Sequence, residues 1–172
     1  MGLVTPRRLL LVRHAKAEPF AATDHDRRLT GRGRNDAAAA GEYLRSNGLL
    51  PDRVVVSSAE RTKETWDCLE EVLASGAEVV VDGSVYAGST DVVLDALRSS
   101  PTGVSLLAFV GHQPTVGYVA HLLDDGDGDH EALRLMLHGF PTCSIAVFEV
   151  GSAWEDLDHE TGRLVAFYAG HE

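Results

Sequence analysis

The sequence predicts an α/β protein, a three-layer sandwich in which helices cover both faces of a mostly parallel central sheet. The predicted strands are continuous apolar runs such as residues 104–112, which is typical of parallel strands buried on both faces. Segments with apolar residues at helical spacing separate these runs, and such an alternation favours a parallel sheet. We find no linker, repeat or low-complexity segment, and 172 residues are enough for one hydrophobic core. The sequence therefore predicts a single domain over residues 1–172.

The first five elements are predicted from apolar runs together with helix caps and stops. Thr30 is a suitable N-cap for a helix that ends before Gly48, and Ser58 is a suitable N-cap for the next helix. The predicted elements are a strand over 8–14, a helix over 30–46, a strand over 53–58, a helix over 58–74 and a strand over 78–81.

The second half of the chain continues the alternation. A helix over 89–98 has Ser89 or Thr90 as its cap, and Pro114 is suited to the first turn of a helix over 114–123. The apolar run over 104–112 is the strand between them, and two closing strands are predicted over 143–150 and 164–168. Residues 124–129, DDGDGD, are predicted to form a solvated turn; a calcium loop is the alternative, although no Glu follows at the required spacing.

The charge of the chain limits its partners. The formal net charge is −11 at neutral pH, which does not favour nonspecific binding to nucleic acid or to anionic membranes. We therefore predict neither nucleic acid nor membrane as a partner, and the sequence indicates no particular oligomeric state. A site for an anionic substrate in such a chain requires a local cluster of cations, so the positions of the arginines are informative.

The cysteines and the N-terminus indicate a cytoplasmic protein. Cys68 and Cys143 are far apart, and we interpret them as buried thiols because nothing else suggests a secreted, disulfide-bonded protein. The apolar run near the N-terminus is short and leads directly into Arg13 and His14, so we interpret it as a strand rather than a signal peptide. No stretch approaches the roughly 18 apolar residues of a membrane span.

Candidate functional residues stand at the ends of three predicted strands. Arg13 and His14 end the first strand, and His112 ends the long apolar strand. Ser57 ends the second strand, and Arg61 follows it in the first turn of the next helix. Open α/β sheets bind ligands at the carboxyl ends of their strands, so these groups converge if the strands are neighbours.

Arg61 is the most informative of these positions. A cation in the first turn of a helix opposes the helix dipole, so an unfavourable local choice here indicates a functional reason. An anion bound at this helix end would be attracted both by the free N–H groups and by the guanidinium. The alternative is an exposed arginine whose head group is in solvent.

Histidine alone is a weak signal. His14 follows an apolar strand, and the alternative interpretation is that it is a hydrogen-bonded structural residue. Arg13 and His112 nevertheless favour a functional role for His14. No HxxxH or HExxH pattern is present, so we predict neither a metal site nor a cofactor, with a metal-dependent hydrolase as a minor alternative. The other histidines show no spacing with these and are interpreted as surface or structural residues: His25, His121, His130, His138, His159 and His171.

Four segments of the sequence carry a shared pattern: LLVRHA (10–15), DRRLTGRG (26–33), SSAERTKET (57–65) and VGHQP (110–114). Together they resemble the signature of the histidine phosphatase superfamily, whose fold is phosphoglycerate mutase-like. They occur in the family order and span roughly residues 8–123, which makes the resemblance specific, and it is nearest to the single-domain phosphohistidine phosphatases. The C-terminal third adds no signature.

The resemblance implies a role for each candidate residue. It implies that His14 is a nucleophile that forms a covalent phosphohistidine, and that Arg13, Arg61 and His112 bind the transferring phosphoryl group. This agrees with the positive charge that a phosphoryl transition state requires. The clustered cations are expected to keep His14 neutral, as a nucleophile must be. Ser57 is expected either to hydrogen-bond in the site or to cap a helix.

The substrate is predicted from a missing acid. Many phosphomonoesterases of the superfamily carry a Glu before the last His, but residues 81–93, which include Tyr86 and Asp91, contain no Glu. An imidazole leaving group needs less protonation than an alkoxide, so we predict a phosphohistidine-bearing protein as substrate. One alternative is a small-molecule phosphomonoesterase acting on a sugar phosphate or nucleotide, and the other is a noncatalytic module that binds a phosphotransfer domain. The residues that could supply the acid are Glu18, Asp24 and Asp26.

Overall fold

One mixed β-sheet organises the computed structural model, which describes residues 5–170. The strands lie in the order β3-β2-β4-β1-β5-β6, and those from β3 to β1 are paired in parallel, whereas β5 is antiparallel to both neighbours. The prediction of a mostly parallel sheet is confirmed. Residues 1–4 and 171–172, with His171, lie outside the described residues. The strands are β1 (Arg7–Arg13), β2 (Arg53–Ser57), β3 (Glu78–Asp82), β4 (Leu106–Gly111), β5 (Ile145–Val150) and β6 (Gly162–Tyr168).

Helices cover both faces of this sheet, as predicted. Side chains alternate between the two faces along β1: Leu9 and Leu11 pack with α3, α4 and α5, whereas Leu10 and Val12 pack with α1 and α2. Each face of the sheet therefore has its own apolar core. The helices are α1 (Gly31–Ser46), α2 (Glu60–Leu73), α3 (Thr90–Arg98), α4 (Thr115–Leu123) and α5 (His130–His138).

The predicted elements agree with the observed ones at both ends to within two residues. Helix α5 is the element that the sequence analysis missed; it follows the acidic turn, and its N-cap Asp129 accepts a hydrogen bond from the N–H of Ala132 at 2.8 Å. The predicted cap of α1 is confirmed, since Thr30 accepts from the N–H of Gly33 at 2.9 Å. The predicted Ser58 cap is wrong, because α2 begins after Ala59 and has no side-chain cap.

Both cysteines are free thiols, Cys143 buried and Cys68 partly exposed. The prediction of two buried thiols is therefore right for Cys143 only. Among the described residues, no helix combines the length and the apolar character that crossing a membrane requires.

The segment between β1 and α1 is fastened to the start of α1 by a close backbone approach. The carbonyl oxygen of Lys16 accepts from the N–H of Thr30 at 3.0 Å and from its hydroxyl at 3.2 Å. A Cβ at Gly33 would lie 2.1 Å from the same carbonyl oxygen, far inside van der Waals contact. Glycine at this position is therefore required by packing, which gives a physical reason for the last residue of the DRRLTGRG segment.

Replacement of this glycine tests that reasoning. Gly33→Ala is expected to lower the free energy of unfolding by about 1–3 kcal/mol, because backbone must move to admit the methyl group. Gly31→Ala is the matched control. Gly31 lies in the same turn of α1, and no neighbouring atom lies within 4 Å of the position that its Cβ would take. Gly31→Ala should be neutral or slightly stabilising, because alanine favours the helix over glycine. Urea unfolding of the two variants measures the difference, and equal free energies would contradict the packing argument.

Candidate active site

The carboxyl ends of three neighbouring strands, β2, β4 and β1, bring the candidate residues together. Arg13 lies opposite Gly111 in the register of β1 and β4, and the N–H of His14 donates to the carbonyl oxygen of Gly111 at 3.0 Å. The imidazole rings of His14 and His112 consequently lie side by side, with 5.4 Å between their centroids. The predicted convergence of the strand ends is confirmed.

The hydrogen bond of His14 defines which ring nitrogen is available for chemistry. Its Nδ1 lies 2.7 Å from the carbonyl oxygen of Ala15. A carbonyl oxygen only accepts, so Nδ1 carries the hydrogen, and in a neutral ring Nε2 then has a free lone pair. The backbone of Ala15 is itself anchored at its N–H, which donates to Oγ1 of Thr65 at 3.0 Å.

His14 is neutral at physiological pH. It is only 9% exposed, and burial is the main cause that lowers its pKa from 6.5 to about 3. The charges of His112, Arg61 and Arg13 lower the pKa further, while the hydrogen bond to Ala15 opposes them. The sequence analysis predicted a neutral His14 but attributed it to the cations; the principal cause is burial, which the sequence pattern does not reveal.

His112 is oriented by Ser57. Its Nε2 lies 2.7 Å from Oγ of Ser57, which is fully buried at the end of β2. Burial, followed by the charge of Arg61, lowers the pKa of His112 to about 4, although Asp24 acts in the opposite direction. Of the two alternatives for Ser57, the structure therefore shows a hydrogen bond within the site rather than a helix cap.

Arg61 points into the molecule, so the alternative of an exposed arginine is wrong. The residue is only 5% exposed. Its Nη1 donates to the carbonyl oxygen of Asp24 at 2.8 Å, and its Nη2 donates to the carboxylate of Asp24 at 3.1 Å. The Asp24 carboxylate supplies the negative charge that compensates a cation in the first turn of α2. Among the described residues, Nε of Arg61 and Nδ1 of His112 are buried without a hydrogen-bond partner, so the cluster has unused hydrogen-bonding capacity.

Asp24 is the carboxylate that the fold brings to the cluster, but its ionisation makes it unsuitable as an acid. The hydroxyl of Tyr86 donates to it at 2.6 Å. This hydrogen bond, followed by the hydrogen bond and the charge of Arg61, lowers the pKa of Asp24 to about 2 even though burial opposes the shift. Asp26 accepts from Thr23 within its own turn, and Asp91 lies in the first turn of α3 as predicted. Asp24 is thus ionised at neutral pH and holds no proton to donate.

Arg13 lies on the other side of the cluster. Its Nη1 donates to the carbonyl oxygen of Phe140 at 2.8 Å, in the connection between α5 and β5. A cavity of about 240 Å³ adjoins it, lined by Arg13, Lys16, Pro141 and Thr142. Lys16 therefore adds a further positive charge next to Arg13.

His25 belongs to the rim of the cluster, although the sequence analysis interpreted it as unrelated to the site. Its Nε2 lies 2.9 Å from Oγ of Ser58, and its ring meets the edge of Tyr86 with 4.8 Å between centroids. Tyr86 in turn meets His112 edge-on at 5.6 Å. No spacing in the sequence could have indicated this contact, because it depends on how the segment after β1 folds back over the strand ends.

Glu64 is a second residue that the sequence analysis missed. Its buried carboxylate accepts from the N–H of Leu29 at 2.7 Å, from Arg28 at 2.7 Å and from Arg34 at 3.0 Å. Burial acts to raise the pKa of Glu64, but these hydrogen bonds outweigh it and hold the pKa below its usual value. Glu64 thereby fastens the segment that carries Asp24 to helix α2.

Together, the fold and the site define an α/β protein with two arginines and two neutral histidines at one sheet edge, a class of site suited to a phosphoryl group. Comparison with known proteins agrees. Residues 9–84 match the family described as the histidine phosphatase superfamily (branch 1). An uncharacterised protein of Mycobacterium leprae is 34% identical over 91% of this chain and 98% of its own length. The chain belongs to the histidine phosphatase superfamily.

Two further relatives are phosphohistidine phosphatases by description. The phosphohistidine phosphatase SixA of Escherichia coli K12 is 33% identical over 69% of this chain and 75% of its own length. A structure from Nakamurella multipartitia, described as a phosphohistidine phosphatase SixA, superimposes with a TM-score of 0.85 and 30% identity, covering 98% of this chain and 99% of that one. The predicted superfamily and fold are confirmed, and the similarities support a phosphatase.

Acid is expected to destabilise the protein through His14. The unfolded imidazole takes up a proton as the pH falls through 6.5, whereas the folded one does so only near pH 3, so stability is lost over this interval. Between pH 6.5 and 4 the loss due to His14 should be about 3 kcal/mol, at 1.36 kcal/mol per pKa unit. His14→Asn keeps an N–H for the Ala15 carbonyl but does not titrate. Its free energy of unfolding in urea should fall less than that of the wild type, and parallel pH profiles would contradict the buried, neutral state.

Proposed function

We propose that residues 1–172 form one catalytic domain that hydrolyses phosphohistidine in a protein through a covalent phosphoryl intermediate on His14. The observation that carries this proposal is the hydrogen bond from Nδ1 of His14 to the Ala15 carbonyl. In a buried neutral ring, this bond leaves Nε2 with a free lone pair beside a cluster of cations. The descriptions of the E. coli and N. multipartitia relatives support the same substrate class.

The reaction has two displacement steps. In the first, Nε2 of His14 attacks phosphorus, the P–N bond to the substrate imidazole breaks, and the leaving nitrogen takes up a proton from solvent. In the second, water attacks phosphorus, the P–Nε2 bond breaks, and inorganic phosphate leaves with His14 regenerated. Arg13, Arg61 and His112 bind the phosphoryl oxygens and stabilise the charge that spreads over them in each transition state. Ser57 positions His112 through their hydrogen bond.

The ionised state of Asp24 favours phosphohistidine over a phosphate ester. A carboxylate whose pKa is about 2 cannot protonate an alkoxide leaving group at neutral pH. An imidazole departs without such help, because it is a far weaker base than an alkoxide and can take up its proton from solvent. The small-molecule phosphomonoesterase alternative would require an acid that the described part of the chain does not bring to the cluster in protonated form.

Substitution of the nucleophile tests the mechanism. His14→Asn should abolish turnover, because the amide keeps the bond to Ala15 but has no nitrogen lone pair that can attack phosphorus. Wild-type protein quenched with alkali during turnover of a ³²P-labelled substrate should carry labelled, acid-labile phosphohistidine, which the variant should lack. His121→Asn, on the exposed side of α4, is the matched control and should retain both properties. Activity in His14→Asn would exclude the covalent mechanism.

The rate should depend steeply on the leaving group. We expect kcat/KM to fall from phosphohistidine to aryl phosphates to alkyl phosphates, with the last lower by about 10²–10⁴, the contribution of a missing general acid. The rates are measured with and without a chelator, which should not change them. A sugar phosphate cleaved as fast as phosphohistidine, with that activity lost in Asp24→Asn, would favour the small-molecule phosphomonoesterase instead. Activity lost on chelation and restored by a divalent ion would favour the metal-dependent hydrolase.

A further inference from the structure

We propose that Tyr86 is a positioning residue of the candidate active site, where it orients Arg61 and His112 for the phosphoryl group. Its hydroxyl acts on Arg61 through Asp24, and its ring acts on His112 by direct contact. The inference rests on the proposed function, in which Arg61 and His112 bind the phosphoryl oxygens. Tyr86 takes no part in either displacement step, so it contributes to the geometry of the groups that do.

Tyr86 reaches the site from the end of a fourth parallel strand. Strand β3 is paired in parallel with β2, and Asp82 at its end lies opposite Ser57 in their register. A single helical turn, Gly83–Val85, follows directly, and Val85 is buried in the apolar core. Because Val85 anchors this turn, the next residue, Tyr86, lies at the sheet edge where the other candidate residues converge.

The hydroxyl of Tyr86 and the guanidinium of Arg61 bind the same carboxylate oxygen of Asp24. The hydroxyl donates to Oδ2 of Asp24 at 2.6 Å, and Nη2 of Arg61 donates to that atom at 3.1 Å. The hydrogen bond to Asp24 raises the pKa of Tyr86, so the hydroxyl stays protonated and remains a donor at neutral pH. The carboxylate that holds Arg61 is therefore itself held by Tyr86.

Asp24 requires this second donor because its side chain is 56% exposed, whereas that of Arg61 is 6% exposed. Water competes for the oxygens of so exposed a carboxylate, and a surface ion pair alone restricts its partner only weakly. A hydroxyl fixed to the protein limits the orientations of the carboxylate and thereby those of the guanidinium. Orientation matters here because a guanidinium binds phosphoryl oxygens through a rigid, planar fork of donors.

The ring of Tyr86 provides the second route. It meets the His112 ring edge-on, with 5.6 Å between centroids and 82° between planes, an arrangement that aromatic rings prefer. Ser57 binds Nε2 of His112 at 2.7 Å, and the contact with Tyr86 limits movement of the imidazole out of this hydrogen bond. The Tyr86 ring is itself restrained by His25, whose ring meets it at 4.8 Å.

Variants of Tyr86 in the full chain separate the two routes. The binding of inorganic phosphate is measured by titration calorimetry, and kcat/KM is measured on the free amino acid phosphohistidine. Tyr86→Phe removes only the hydroxyl and should reduce both quantities by about three- to tenfold, the effect of one hydrogen bond. Tyr86→Leu also removes the aromatic ring and should reduce both further. Tyr118→Phe, at an exposed tyrosine of α4, is the matched control and should change neither.

A double-mutant cycle with Asp24→Ala tests whether the hydroxyl acts through Asp24. In the Asp24→Ala protein, Tyr86→Phe should cause no further loss of phosphate binding. Tyr86→Leu should still cause one, because the contact between its ring and His112 does not involve Asp24. Urea unfolding should show that each variant is fully folded at the assay temperature, so that weaker binding reports on the site.

The opposite results would overturn the proposal in distinguishable ways. Unchanged phosphate binding in Tyr86→Phe and Tyr86→Leu would show that Tyr86 orients neither group. Equal losses from Tyr86→Phe with and without the Asp24 carboxylate would show that the hydroxyl contacts the phosphate directly. Phosphate binding needs no turnover, so a chain that binds phosphate in the expected order without hydrolysing phosphohistidine would contradict the proposed function and support the positioning role.

Discussion

The carbonyl oxygen of Ala15 controls the chemistry of His14, and the rest of the site depends on how the backbone of Ala15 is held. Thr65 on α2 accepts from the Ala15 N–H at 3.0 Å and donates to the Arg61 carbonyl oxygen at 2.6 Å. One hydroxyl therefore links the backbone that orients the proposed nucleophile to the turn of α2 that carries the buried cation. If the backbone of Ala15 rotated, Nδ1 of His14 would lose its acceptor, and the tautomer with a free lone pair on Nε2 would no longer be favoured.

Helix α2 also positions the segment between β1 and α1, again through the hydrogen bonds of one side chain. Glu64 precedes Thr65 and binds the backbone of Leu29 and the side chain of Arg28, both in the segment between β1 and α1, as well as Arg34 of α1. If these bonds were lost, the buried carboxylate of Glu64 and the buried N–H of Leu29 would be left unpaired, which costs more than the loss of a typical surface ion pair. The position of Asp24, and with it the orientation of Arg61, is thus secured from α2 through Glu64 rather than by Asp24 alone.

The comparison with the sequence analysis shows which physical information a linear pattern contains. Apolar runs predicted the strands, and strand ends predicted the convergence of Arg13, His14 and His112, because parallel strands end at one edge of a sheet. The role of His25 and the anchoring by Glu64 depend on the path of an irregular segment, and hydrophobic periodicity carries no information about such a path. Helix α5 was missed because it is only nine residues long and follows a turn rich in Asp and Gly.

The position of Asp24 also explains why the proposed substrate and the architecture of the site belong together. Arg61, the cation that Asp24 orients, is one of the groups that lower the pKa of Asp24. The carboxylate therefore cannot both hold Arg61 and carry a proton at neutral pH. A site that uses its nearest carboxylate to position an arginine therefore depends on leaving groups that depart without a general acid. Phosphohistidine meets this condition, whereas an alkyl phosphate would require a second carboxylate, kept protonated by burial and away from Arg61.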